Sequence, residues 1–137
     1  MANSFFNMSF SGRLGRDAEM RYSQKGTAII KMGIAVNLGR WNKVESKFEP
    51  MTMWINTTLF GEYWEKLMSK LTKGAEVIVE VDRLEFDAET GGPVVFTRKS
   101  GDPGSSFNCV ARKVTVVGVQ AQEGAAREPV KDDQIPF

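Results

Sequence analysis

The stretch Met51 to Phe60, MTMWINTTLF, alternates strictly: Met51, Met53, Ile55 and Leu59 fall on one side, Trp54, Asn56, Thr58 and Phe60 on the other. A period of two is the signature of a β-strand. One side is an aliphatic core face; the other mixes two large rings with polar groups. Rings on a strand's second face either pack in a second apolar layer or subunit interface, or meet a ligand. Asn56 and Thr58 on that face are polar, Trp41 lies in a loop-like stretch with Arg40 and Lys43, and Phe86 lies near a hairpin tip. Aromatic rings interleaved with basic and polar groups suit the stacking of unpaired bases along a groove that follows the phosphates.

Working outward, two further alternating runs precede this strand. In Phe5 to Leu14 the residues Phe6, Met8, Phe10, Gly12 and Leu14 share one parity, and in Ala28 to Leu38 the residues Ile30, Met32, Ile34 and Val36 do the same. Ser23 to Gly26 supplies a turn between them. Directly after Phe60, GEYWEKLMSKLTKG puts Trp64, Leu67, Met68 and Leu71 on a helical stripe, with Glu62 and Lys66 at i, i+4 and Gly74 as the stop. Trp64 on that stripe reads as core. Then come AEVIVEVDRLEF with Val77, Val79 and Val81 in phase, a hairpin turn at Gly91 and Gly92, a short PVVFTRK, a loop at 99–106 and a final SFNCVARKVTVVGV. Strand, strand, strand, helix, strand, hairpin, strand predicts an all-β OB-fold: a five-stranded antiparallel barrel with one α-helix between its third and fourth strands. The predicted domain covers residues 1–120, followed by a short flexible linker at 121–131 and an acidic tip at 132–137.

Composition narrows the function. With 137 residues, 42% hydrophobic and 26% charged, the chain has room for one globular domain and an added segment. No His and a single Cys exclude most zinc sites and imidazole catalysis; the carboxylates Glu76, Glu80 and Asp82 could pair only by coincidence, and Glu76 and Glu80 read as a solvated strand face. No enzyme, metal or cofactor is expected. Cys109 has no disulfide partner within the chain, the N-terminal segment lacks the pattern of a signal peptide, and no apolar run is long enough to span a bilayer, so a cytoplasmic location is expected.

The net charge of +1 carries no partner prediction, so the charge argument is local. Residues 1–121 hold 16 basic against 13 acidic side chains, whereas 122–137 hold 2 against 4. Candidate phosphate contacts are Arg13, Arg16, Arg21, Lys25, Lys31, Arg40, Lys43, Lys73, Arg98 and Lys99. The last residues, DDQIPF, place Asp132 and Asp133 before an apolar plug of Ile135, Pro136 and Phe137. Such a tip suits a partner's apolar pocket rimmed by Arg or Lys.

Several separated motifs, in order, resemble the bacterial-type single-stranded DNA-binding proteins: GRLGRDAEMRY at Gly12–Tyr22, Trp41, WINTTLFG at Trp54–Gly61, LTKG at Leu71–Gly74 and DDQIPF. The resemblance covers about residues 5–119 and the last six. It implies an OB-fold that binds single-stranded DNA without strong sequence preference in replication, recombination and repair. It also implies a homo-oligomer, tetramer or dimer, stacking by Trp41, Trp54 and Phe60 with Phe86 near a third position, and recruitment of replication and repair proteins by the tip. Glu62, Ile55, Asn56 and Gln134 depart from the usual pattern, and the short linker is more like a phage- or plasmid-encoded member. Two other readings stand beside it: an OB-fold RNA binder, and an assembly protein whose aromatic face is a subunit interface.

Overall fold

The computed structural model describes residues 3–118. In chain order its elements are β1 (Met8–Leu14), β2 (Glu19–Tyr22), β3 (Ala28–Asn37), β4 (Arg40–Asn42), β5 (Lys47–Glu49), β6 (Thr52–Phe60), a 3₁₀ segment (Glu62–Leu67), β7 (Glu76–Leu84), β8 (Val95–Thr97), β9 (Pro103–Ser105) and β10 (Phe107–Gly118). The main sheet runs β1-β7-β10-β6-β3 and closes through a β1–β3 pairing, with β2 added along the free edge of β3. This is the expected five-stranded barrel, with one correction to its pairing. β6 and β10 run parallel. A closed ring with an odd number of strands cannot alternate direction all the way round, so one neighbouring pair must agree.

The expected parities hold within the strands; Phe6 and Met51, expected on the core sides, precede β1 and β6 and are about half exposed. Leu14, Ile30, Ile34, Ile55, Leu59, Val77, Val79 and Val81 all point into the barrel and are buried. Burial of β-branched and aliphatic side chains at every second position is what fixes register here, because a slip of one residue would turn each strand inside out. Thr57 is the one polar residue among the buried positions described, and its hydroxyl lies 3.6 Å from the Cys109 sulfur on the strand beside it. Burial pushes the Cys109 thiol above its ordinary pKa.

The α-helix expected between the third and fourth barrel strands is corrected to six residues of 3₁₀ helix. The backbone bonds show the tighter winding: Trp64 N–H donates to Gly61 O at 3.2 Å and Met68 N–H to Glu65 O at 3.1 Å. The segment is too short to gain from α-helical cooperativity, and both ends are tied to the barrel, by Gly61 N–H to Ala28 O and Ala18 N–H to Leu71 O. At three residues per turn Lys66 finds not Glu62 but Tyr63, with its ammonium 4.0 Å from the ring centre. The apolar stripe still does its work: Leu71 is fully buried, and Trp64, Leu67 and Met68 pack against the core.

Smaller elements depart from the sequence expectation. β2 and β5 lie where no strand is expected, β4 lies in the loop-like stretch around Trp41, and β9 lies inside the expected loop at 99–106. β8 pairs with β9, not with β7, and the Gly91 turn closes locally through Gly91 N–H to Asp87 O at 2.7 Å. Among the described residues no helix is long and apolar enough to cross a membrane. The proposed linker and tip lie outside the described residues.

Candidate nucleic-acid interface

Register assembles the site. Opposed residues on paired strands share a face, and on the outer face of the barrel four rows follow. Arg21, Ile29 and Phe60 form one; Glu19, Lys31 and Thr58 the next. Gly33, Asn56 and Asn108 form the third, and Arg13, Ala35 and Trp54 the fourth. Trp54 is 54% exposed and Phe60 44%. Arg21 and Lys31 are exposed beside them.

Trp54 is held by its floor. A Cβ on Gly15 would lie 2.6 Å from the indole Cζ3, so the six-membered ring rests against the bare backbone of Gly15. Gly15 N–H donates to Gly33 O at 3.0 Å, which fixes that floor to β3. In the third row Asn56 Nδ2 donates to Asn108 Oδ1 at 2.9 Å, and the Ser106 hydroxyl lies 3.1 Å from the same oxygen. These amides line an open cleft of about 350 Å³ whose walls include Arg16, Glu19, Lys31, Thr58 and Glu85. Polar amides that hydrogen-bond each other leave the face wettable between its rings, as a surface for bases and phosphates must be.

The β4–β5 ribbon continues the β3–β6 hairpin. Pairing runs from Ile29 opposite Phe60 to Asn37 opposite Thr52, and resumes without a slip at Arg40 opposite Glu49 and Trp41 opposite Phe48. Trp41, 58% exposed, therefore has the parity of Ala35 and Trp54, so the outer face extends into the ribbon. Phe48, 51% exposed, sits across from it. Phe48 is not among the sequence candidates, because a single ring between Lys47 and Glu49, in a three-residue strand, is too short a pattern to show a period.

The remaining candidates are placed elsewhere. Arg40 has the opposite parity to Trp41 and pairs with Glu49 at 3.5 Å. Lys43 is exposed in the ribbon's turn. Lys73 borders a shallow groove with Arg16 and Glu19, its backbone N–H bound to the Asp17 carboxylate at 2.8 Å. Phe86 is 58% exposed in the connection after β7, one residue beyond Glu85, whose N–H reaches Asn108 O at 2.9 Å. Arg98 belongs to the β8–β9 hairpin, 5.7 Å over the Phe96 ring, and Lys99 follows it in the turn. Register brings together Trp41, Trp54, Phe60, Arg21 and Lys31; it does not bring Arg40, Phe86, Lys73, Arg98 or Lys99 to that face.

The model of the Single-strand binding protein family matches residues 5–90, which run from the approach to β1 past Phe86 and include every residue of the four outer-face rows except Asn108. The chain belongs to this family. Single-strand binding proteins similar to it include the "Single-stranded DNA-binding protein" of Wolinella succinogenes, 35% identical over 106 residues, covering 77% of this chain and 60% of that protein. That of Xanthomonas campestris pv. campestris is 32% identical over 91 residues, covering 66% of this chain and 52% of that protein. The chain thus spans between about half and three-fifths of the length of these relatives. Two solved structures share the fold at 15% identity. The small single-stranded DNA-binding protein of Streptomyces coelicolor gives a TM-score of 0.63 over 81% of this chain and 93% of its own. The Plasmodium falciparum SSB complex with ssDNA gives 0.65 over 85% and 99%. The barrel is accordingly that of single-strand binding proteins, a family of non-enzymatic binders.

Proposed function

We propose that this protein binds single-stranded DNA across the outer face of β3 and β6 and the β4–β5 ribbon, without strong sequence preference. The observation that carries this reading is the register that lines up Trp54, Phe60 and Trp41 on one exposed face with Lys31 and Arg21 beside them. Rings stack on any base, and the cations follow the phosphates. A subunit interface on the same face would have to desolvate Lys31, Glu19 and Arg21, a cost that a binding face for a wet polyanion does not incur. Lys43, Lys73, Phe86, Arg98 and Lys99 are proposed as outlying contacts along the strand's path, with Arg40 steering through its charge.

The protein acts in DNA replication, recombination and repair as a homo-oligomer in the cytoplasm, and its tip residues Asp132, Asp133, Ile135, Pro136 and Phe137 recruit partner proteins. Family membership and the acidic-apolar pattern of the tip support this part of the reading. Trp54→Ala and Phe60→Ala are each expected to weaken binding to oligo-dT by about 1–3 kcal/mol, measured by anisotropy of a labelled oligonucleotide. Both side chains are about half exposed, so the fold should persist. Equal affinity in both variants, or tighter binding to the matching RNA or duplex, would contradict the assignment. Removing residues 132–137 should abolish capture of partner proteins while leaving oligo-dT affinity unchanged.

A further inference from the structure

The β4–β5 ribbon carries a second ring at a position that neither the sequence motifs nor the family match assigns. Phe48 lies opposite Trp41, and in the unbroken register of the hairpin it has the parity of Trp54 and Phe60. Phe48, Trp54 and Phe60 recur at six-residue intervals, about 20 Å of strand each. The Phe48 ring is also fixed in place. A Cβ on Gly39 would fall within 2.7 Å of its Cε1 and closer still to Cε2 and Cζ, so one side of the ring covers bare backbone while half of the residue remains open to solvent. A ring held on one side and free on the other is preorganised for a base, since little side-chain freedom is lost on stacking.

We propose that Phe48 is a further base-stacking residue, forming with Trp41 the distal end of the single-strand path; this rests on the reading of the β6 face given above. Phe48→Ala should lower oligo-dT affinity about 5- to 100-fold. Phe48→Leu, which still covers Gly39 but has no π face, should lose affinity to a similar extent, and Phe48→Tyr should retain it. An oligonucleotide shortened until it no longer reaches the ribbon should bind wild type and Phe48→Ala alike. Full affinity in Phe48→Leu would overturn the proposal and leave Phe48 as a prop for the ribbon. Trp54→Ala and Phe60→Ala measured in parallel separate the two readings: a loss there with none in Phe48→Ala defeats only the Phe48 assignment, while no loss in any of the three defeats the face itself.

Discussion

Trp54 owes its position to Gly15 as much as to its own strand. Any side chain at position 15 would enter the space of the indole, so Gly15→Ala is expected to turn the ring off its floor. Near-UV circular dichroism should report the change, and oligo-dT affinity should fall several-fold with the far-UV spectrum intact. The parity of Trp54 was readable because its strand is long; its support was not, since Gly15 and Trp54 meet only through the β1–β3 closure. Cys109 is the other residue with a distinct expectation. Its thiol is fully buried beside Thr57 and its pKa is raised by burial. In the unfolded chain the thiol loses its proton above pH of about 8.5, while the folded one keeps it. Stability from this residue is therefore complete below that pH and declines as pH climbs toward the folded value. Denaturant midpoints between pH 7 and 10 should fall more in wild type than in Cys109→Ala, and iodoacetamide should label Cys109 only on unfolding.

Among elements, the 3₁₀ segment shows what periodicity can and cannot tell. Spacings of three and four are shared by 3₁₀ and α winding over so few residues, so the stripe of Trp64, Leu67, Met68 and Leu71 identified the buried face correctly and the helix type wrongly. Leu71 anchors the segment and should cost about 2–5 kcal/mol when cut to Ala, read from urea unfolding. The five barrel strands were legible because each buries one face. β2, β4, β5 and β9 were not, because three- and four-residue strands at the surface bury too little to impose a pattern; β8 lies within the expected short strand PVVFTRK, and only its partner differs. Phe48 is hidden in the sequence for the same reason: without β4 and β5 there is no register to carry the face beyond Asn37 and Thr52.

At the scale of the whole molecule the charge is mild, and binding should show it. The face and its cleft hold Arg16, Arg21 and Lys31, with Lys43 at the ribbon's turn, while Arg13 of the fourth row is engaged with Gly74 O and Glu76. About three or four phosphate contacts give a slope of roughly −2 to −3 for log K against log salt on single strands. Isothermal titrations with oligo-dT between 50 and 500 mM salt should return a slope in that range, and one steeper than about −6 would mean that the phosphate path runs over the outlying lysines and arginines instead. The rings are then left to supply most of the affinity that survives high salt. The most direct test uses Trp41→Phe with Trp64→Phe, so that Trp54 is the one remaining tryptophan and is excited selectively over Tyr22 and Tyr63, titrated with oligo-dT and with a matched duplex. Saturable quenching by oligo-dT that persists at high salt, with little response to duplex, is the predicted result; an unchanged Trp54 signal at saturating oligo-dT would contradict the account.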